Sequence, residues 1–112
     1  MRKLLTVSLF FLLIACSEVN APLDKGNLIN TSLKTTQLPD GSLGYAVWEP
    51  PGYKVGQKLP LIISLHGGGG SQEELESWVP SILEEMAKDV FPAAIWSMPS
   101  AGRSFYLNAK DG

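Results

Sequence analysis

At 112 residues, with a formal net charge of −2 and a single cysteine, the chain can build one modest domain and holds no internal disulfide. Setting aside Arg2 and Lys3, seven basic residues stand against eleven acidic ones, with no basic run. That balance argues against nucleic acid as a partner.

Met1-Arg2-Lys3 is a short basic segment, and Leu4 to Ile14 is an apolar run broken only by Thr6 and Ser8. A bilayer needs about twenty such residues, so the run reads as an export signal rather than a membrane span. It closes on Leu13-Ile14-Ala15-Cys16, which resembles the lipobox of bacterial lipoproteins. The resemblance implies cleavage before Cys16, acylation of its thiol and its new amine, and a stable membrane anchor. The bland alternative is an ordinary signal peptide with a chance cysteine. Ser17, where an Asp would favour inner-membrane retention in enterobacterial lipoproteins, points to the outer membrane of the cell envelope. Residues 1–15 are thus expected as a signal peptide and residues 16–26, polar with Pro and Gly, as a tether. Residues 27–112 form the ordered part.

Leu28 to Leu38 is a moderate strand candidate, and Leu43, Tyr45 and Val47 alternate with Gly44, Ala46 and Trp48 as a second. Between them Pro39-Asp40-Gly41-Ser42 has turn chemistry: Pro presets φ, Asp bonds its own backbone, and Gly accepts a left-handed conformation. The two strands are expected to form an antiparallel hairpin. Glu49-Pro50-Pro51-Gly52-Tyr53 breaks it, and Pro60 opens the next strand.

Leu61-Ile62-Ile63-Ser64-Leu65 reads as a fully buried strand of a parallel sheet, and it ends in His66 and four glycines, Gly67 to Gly70. A strand, glycine turn and helix in succession leave backbone N–H groups pointing at a ligand. Without Cβ atoms the backbone can approach a reacting atom closely. A phosphate cradle does not fit, because no G-K-[ST] follows, and G-x-G-x-x-G fails at Gln72. Glu73 and Glu74 also already occupy the positive end of the helix dipole. An oxyanion hole fits better, since His-Gly-Gly-Gly after the third strand is a lipase and esterase pattern. A glycine turn kept for packing alone is the plain alternative. No cofactor and no metal is assigned.

Ser71 and Glu74 have the spacing of a capping box. Leu75, Trp78, Val79, Ile82, Leu83 and Met86 then recur at helical spacing as a core-facing stripe. Pro80 should kink this helix or open a second short one. Phe91 to Met98 reads as the next buried strand, completing a parallel βαβ unit. The following loop carries Arg103, Tyr106 and Asn108 at the edge where α/β proteins bind ligands. These are substrate-loop candidates, with an ordinary packed loop as the equal alternative.

Taken together, Pro50-Pro51-Gly52-Tyr53, Leu59 to Gly70 and Met98-Pro99-Ser100-Ala101-Gly102-Arg103-Ser104-Phe105-Tyr106-Leu107-Asn108 resemble the N-terminal part of the esterase D-type esterases. That family of α/β-hydrolases includes S-formylglutathione hydrolases, enterochelin esterases, feruloyl esterases and mycolyltransferases. The similarity runs from about Leu43 to Gly112. It implies a Ser-His-Asp/Glu hydrolase acting on a small-molecule ester, in which Gly68 or Gly69 supplies one oxyanion N–H.

The departure from the family is equally plain. There is no Gly-x-Ser-x-Gly elbow, since Gly102-Arg103-Ser104 is followed by Phe105-Tyr106. The one histidine, His66, stands before the oxyanion turn and not where the family has its base. Neither Ser71 nor Ser104 has a second histidine to activate it. By the family's chain order the triad would lie beyond Gly112, so the chain is expected to be an incomplete and inactive piece of an exported, lipid-anchored esterase. Two alternatives are a non-catalytic envelope lipoprotein and a piece of a prolyl oligopeptidase-like serine peptidase.

Overall fold

The computed structural model describes residues 22–100, Gly102 and Tyr106. The signal peptide, Cys16, Arg103, Ser104 and Asn108 lie outside the described residues. Four strands and one helix follow one another: β1 (Asn27–Lys34), β2 (Ser42–Glu49), β3 (Leu61–Ile63), α1 (Glu74–Ala87) and β4 (Ile95–Ser100).

The hairpin forms as its turn residues dictate. β1 and β2 pair antiparallel from Asn27 opposite Glu49 to Lys34 opposite Ser42. Gly41, at φ 69°, donates its N–H to the Leu38 carbonyl at 3.0 Å, with Pro39 and Asp40 at the centre. β1 stops at Lys34 rather than Leu38, because Thr35 folds into the turn. Its Oγ1 accepts the Gln37 N–H at 3.1 Å, a side-chain bond that competes with strand pairing. At the other end, the Trp48 indole N–H donates to the Lys25 carbonyl at 2.9 Å. A Cβ on Gly26 would collide with the Glu49 carbonyl and the Trp48 ring, so only glycine lets the chain enter here. The last residues of the expected tether are therefore docked against β2.

β4 pairs antiparallel with β2 and parallel with β3, giving the order β1-β2-β4-β3. The βαβ unit is thus parallel, as the sequence pattern requires. β4 begins at Ile95, later than the expected Phe91. The ladder with β3 opens only where the Ile95 N–H reaches the Pro60 carbonyl at 2.8 Å, and Pro92 ahead of it has no N–H to offer. Phe91 instead packs its ring on Trp96, at 5.9 Å between centroids.

α1 lies on one face of the sheet. Leu75, Val79 and Ile82 from the helix bury with Ala46 and Trp48 of β2 and Met98 of β4, while Leu83 and Met86 pack at the margin. Trp78, expected in the stripe, is exposed at the edge of this core. The helix runs unbroken through Pro80, so no second helix begins there. The capping box does not form either. Glu73 is the N-cap, without a side-chain cap bond, and Ser71 Oγ accepts the Glu73 N–H at 3.2 Å. Three successive i to i+3 bonds, starting at Glu74 N–H to the Ser71 carbonyl, tighten the entry and satisfy the Glu74 N–H that a box would give to the Ser71 side chain.

β3 differs most from its expected burial. It has β4 as its one neighbour among the described strands, and Leu61 and Ile63 are 60% and 62% exposed. Both side chains point to the sheet face opposite α1, so the strand is open on its edge and on one face among the described residues. No helix among those residues is long and apolar enough to cross a membrane.

Candidate active site

The glycine turn sits at the carboxyl end of β3, beside the carboxyl end of β4, where a parallel sheet presents unpaired backbone groups. Gly70 donates its N–H to the Gly67 carbonyl at 3.0 Å, closing a four-residue turn. Gly69, its third residue, has φ 86°, as a type II turn demands. Among the described residues neither the Gly68 nor the Gly69 N–H has a hydrogen-bond partner. A Cβ at Gly67, Gly68 or Gly69 would meet nothing within 4 Å, so the turn faces open space on that side. Two unpaired N–H groups therefore lie side by side at an open face of the turn.

Gly70 has a different reason to be glycine. A Cβ there would run into the Glu74 carboxylate, with the His66 Cβ at 3.1 Å. The fourth glycine thus lets the turn fold down onto the first turn of α1. Its requirement is legible in the sequence only as one more glycine in the run.

His66 is 6% exposed. Its Nδ1 lies 2.8 Å from the Gly67 carbonyl, and since a carbonyl oxygen only accepts, Nδ1 carries a proton and donates to it. Nε2 is buried with no partner among the described residues. The ring therefore braces the turn from beneath through the same carbonyl that accepts the Gly70 N–H.

Of the substrate-loop candidates, Tyr106 falls within the described residues. Its hydroxyl accepts the His66 N–H at 3.1 Å and donates to the Pro99 carbonyl at 3.1 Å, and its ring lies 5.4 Å from that of His66. Its backbone has φ 59°, a conformation that bulky residues adopt at a cost of about 1–3 kcal/mol and keep only where their surroundings hold them. Tyr106 thus reaches under the glycine turn and ties the ends of β3 and β4 together. The bond spans 40 residues of sequence, and no local pattern around Tyr106 announces it.

No group of three or more His, Cys, Asp or Glu side chains that could hold a metal occurs among the described residues. An apolar hollow lined by Trp78, Ile82, Phe91 and Trp96 lies between α1 and β4. It contains none of the glycine-turn residues, and it is a part of the core that the described residues leave uncovered.

A hairpin, a parallel βαβ unit and an open glycine turn on the sheet order β1-β2-β4-β3 match a part of the α/β-hydrolase fold. The chain is similar in structure to a ferulic acid esterase, with a TM-score of 0.60 and 19% identity over 74% of this chain and 33% of the other. It is similar also to the feruloyl esterase module from Clostridium thermocellum, a serine-to-alanine mutant in complex with sinapinate, at a TM-score of 0.60 and 17% identity over 77% of this chain and 35% of that one. A further structure, of FAE, gives a TM-score of 0.59 at 16% identity. The chain therefore spans about a third of the length of the esterases it matches. No protein-family model matches the sequence, and neither does any curated protein.

Proposed function

We propose that this chain is the N-terminal part of an exported carboxylic-ester hydrolase of the serine type. The observation that carries the reading is the glycine turn at the end of β3, with the Gly68 and Gly69 N–H groups unpaired and open among the described residues. Gly68 or Gly69 provides one oxyanion donor; the other comes from the residue after the nucleophile. A serine hydroxyl from the later part of the protein adds to the ester carbonyl and passes its proton to a histidine. The turn stabilises the resulting oxyanion, and the alcohol leaves with that proton. Water then releases the acid and restores the serine. The role of residues 27–112 is to build the first strands of the sheet and hold the oxyanion turn.

The test is a pair of labelling reactions with a fluorophosphonate probe, alongside hydrolysis of a p-nitrophenyl ester and a methyl hydroxycinnamate. The full-length protein should label stoichiometrically and hydrolyse an ester, and the 112-residue chain should do neither. A full-length protein that neither labels nor turns over would leave a non-catalytic envelope module as the reading.

The proposal extends to the envelope. Cys16 carries the lipid after cleavage of residues 1–15, residues 16–26 begin as a tether, and the anchor lies in the outer membrane. The support is the lipobox-like Leu13-Ile14-Ala15-Cys16. Replacing Cys16 by Ala should release the protein from the membrane fraction and abolish palmitate incorporation. Continued incorporation would sink the lipobox reading.

A further inference from the structure

The parallel ladder between β3 and β4 stops for a reason written in the sequence. It runs from the Ile95 N–H on the Pro60 carbonyl to the Ser64 N–H on the Ser97 carbonyl, both at 2.8 Å. Leu61 stands opposite Ile95 and Ile63 opposite Ser97, and ladder bonds recur at every second pair, so the next hydrogen-bonded pair would be Leu65 opposite Pro99. In a parallel ladder that pair would be held by a bond from residue 99 N–H to the Ser64 carbonyl and one from the His66 N–H to the Pro99 carbonyl. Pro99 has no N–H, so the first bond cannot form. The second is replaced by a relay, in which the His66 N–H donates to the Tyr106 hydroxyl and that hydroxyl donates to Pro99, each at 3.1 Å. One oxygen inserted between donor and acceptor separates the strand ends by roughly one extra hydrogen-bond length, about 3 Å. The glycine turn begins at the very next residue.

We propose that Tyr106 is a positioning residue for the oxyanion turn: its hydroxyl replaces a backbone rung, sets the gap between β3 and β4, and so fixes the direction of the Gly68 and Gly69 N–H groups. The inference rests on the ester-hydrolase reading of that turn. Three features support a fixed rather than an incidental placement. The hydroxyl bonds to both strand ends, the ring packs on a buried His66, and the backbone is held at φ 59°. Tyr106 acts through His66 and the turn and is not itself a catalytic residue.

The test compares Tyr106→Phe with the parent in the full-length protein. Amide hydrogen exchange at His66 should quicken at least about tenfold while Leu75, Val79 and Ile82 in α1 keep their protection. Ester turnover should fall about tenfold to a hundredfold in kcat with KM nearly unchanged, since misplacing the donors harms the transition state more than substrate binding. The double variant Tyr106→Phe with Pro99→Ala returns an N–H to β4 and lets the ladder close directly. His66 should regain protection while kcat stays low, because the strand ends are now too close together. Unchanged exchange at His66 in Tyr106→Phe overturns the inference. So does an unchanged kcat, and so does a double variant in which kcat returns with protection, since that marks a purely structural tie. An inactive parent overturns the ester reading and this role with it, and is told apart from failure of the tyrosine because the parent is assayed alone.

Discussion

His66 and Pro99 occupy the positions of the next backbone rung between β3 and β4, yet they meet only through the Tyr106 hydroxyl. This relay ends the sheet pairing at the point where the backbone must turn outward. A continued ladder would commit the His66 N–H to β4 and draw the turn that follows toward it. Opening the ladder one rung early leaves the Gly67–Gly70 turn supported from below, by His66 Nδ1 on the Gly67 carbonyl, and open above.

The openness of that turn separates two glycines that look alike in the sequence. A methyl group at Gly68 meets no atom, whereas Gly69 sits at φ 86°. Gly68→Ala should leave the unfolding midpoint of the chain unchanged. Gly69→Ala should destabilise it by about 1 kcal/mol through left-handed strain. In the full-length protein, a β-branched residue at either position should lower kcat about a hundredfold or more by obstructing the oxyanion donors. Urea unfolding and steady-state kinetics check the two effects separately. An unchanged kcat for both variants would remove these residues from the oxyanion hole.

At Gly70 the constraint is contact rather than dihedral. An added methyl meets the Glu74 carboxylate and the His66 Cβ, so Gly70→Ala should cost about 1–3 kcal/mol as overpacking. Glu74→Ala in the same chain should recover much of that loss, because the carboxylate is the nearer obstacle. A double-mutant cycle by urea denaturation measures the coupling. Additive losses would place the strain elsewhere.

How much of this was legible depended on how local the cause was. The hairpin could be read because Pro39, Asp40 and Gly41 carry their turn chemistry within one stretch. The βαβ unit could be read because its apolar periodicity changes from strand-like to helical across the glycines. The exposure of Leu61 and Ile63 does not follow from the apolar run itself, which reports its chemistry and not its place in the strand order; only the family resemblance, by which the nucleophile strand would lie beyond Gly112, implies a bared edge there. The capping box failed for a related reason: Ser71 and Glu74 have the right spacing, but the tightened turns before α1 put Glu73 at the cap. The relay through Tyr106 joins residues 40 apart, and no local pattern announces it. The open turn was legible as glycines, while the device that supports it was not.

Trp48 joins the chain's entry to its core. The side chain is 1% exposed and packs with Ala46, Met98 and the helix residues, while its N–H holds the Lys25 carbonyl. Trp48→Phe should lose both the bond and part of the packing, costing about 2–4 kcal/mol. The loss should come with faster amide exchange at Gly26 and Asn27. A loss of less than about 1 kcal/mol would show that the bond to Lys25 is replaced by water and that the core closes over the smaller ring.

The outer edge of β3 gives the last expectation. Strand backbone that is unpaired among the described residues, beside exposed Leu61 and Ile63, is a template for adding another strand, which natural proteins usually block with charge or cover. The 112-residue chain, studied alone, should therefore self-associate as its concentration rises. Ile63→Lys should suppress this association, because a charge on the apolar face disfavours stacking of a second copy and leaves the pairing with β4 intact. Sedimentation velocity over a concentration series reads the association, and circular dichroism checks that the fold survives. Association that Ile63→Lys abolishes would identify this edge as surface meant to be covered. A parent chain that stays monomeric throughout would instead favour the reading of residues 27–112 as a self-sufficient, non-catalytic module.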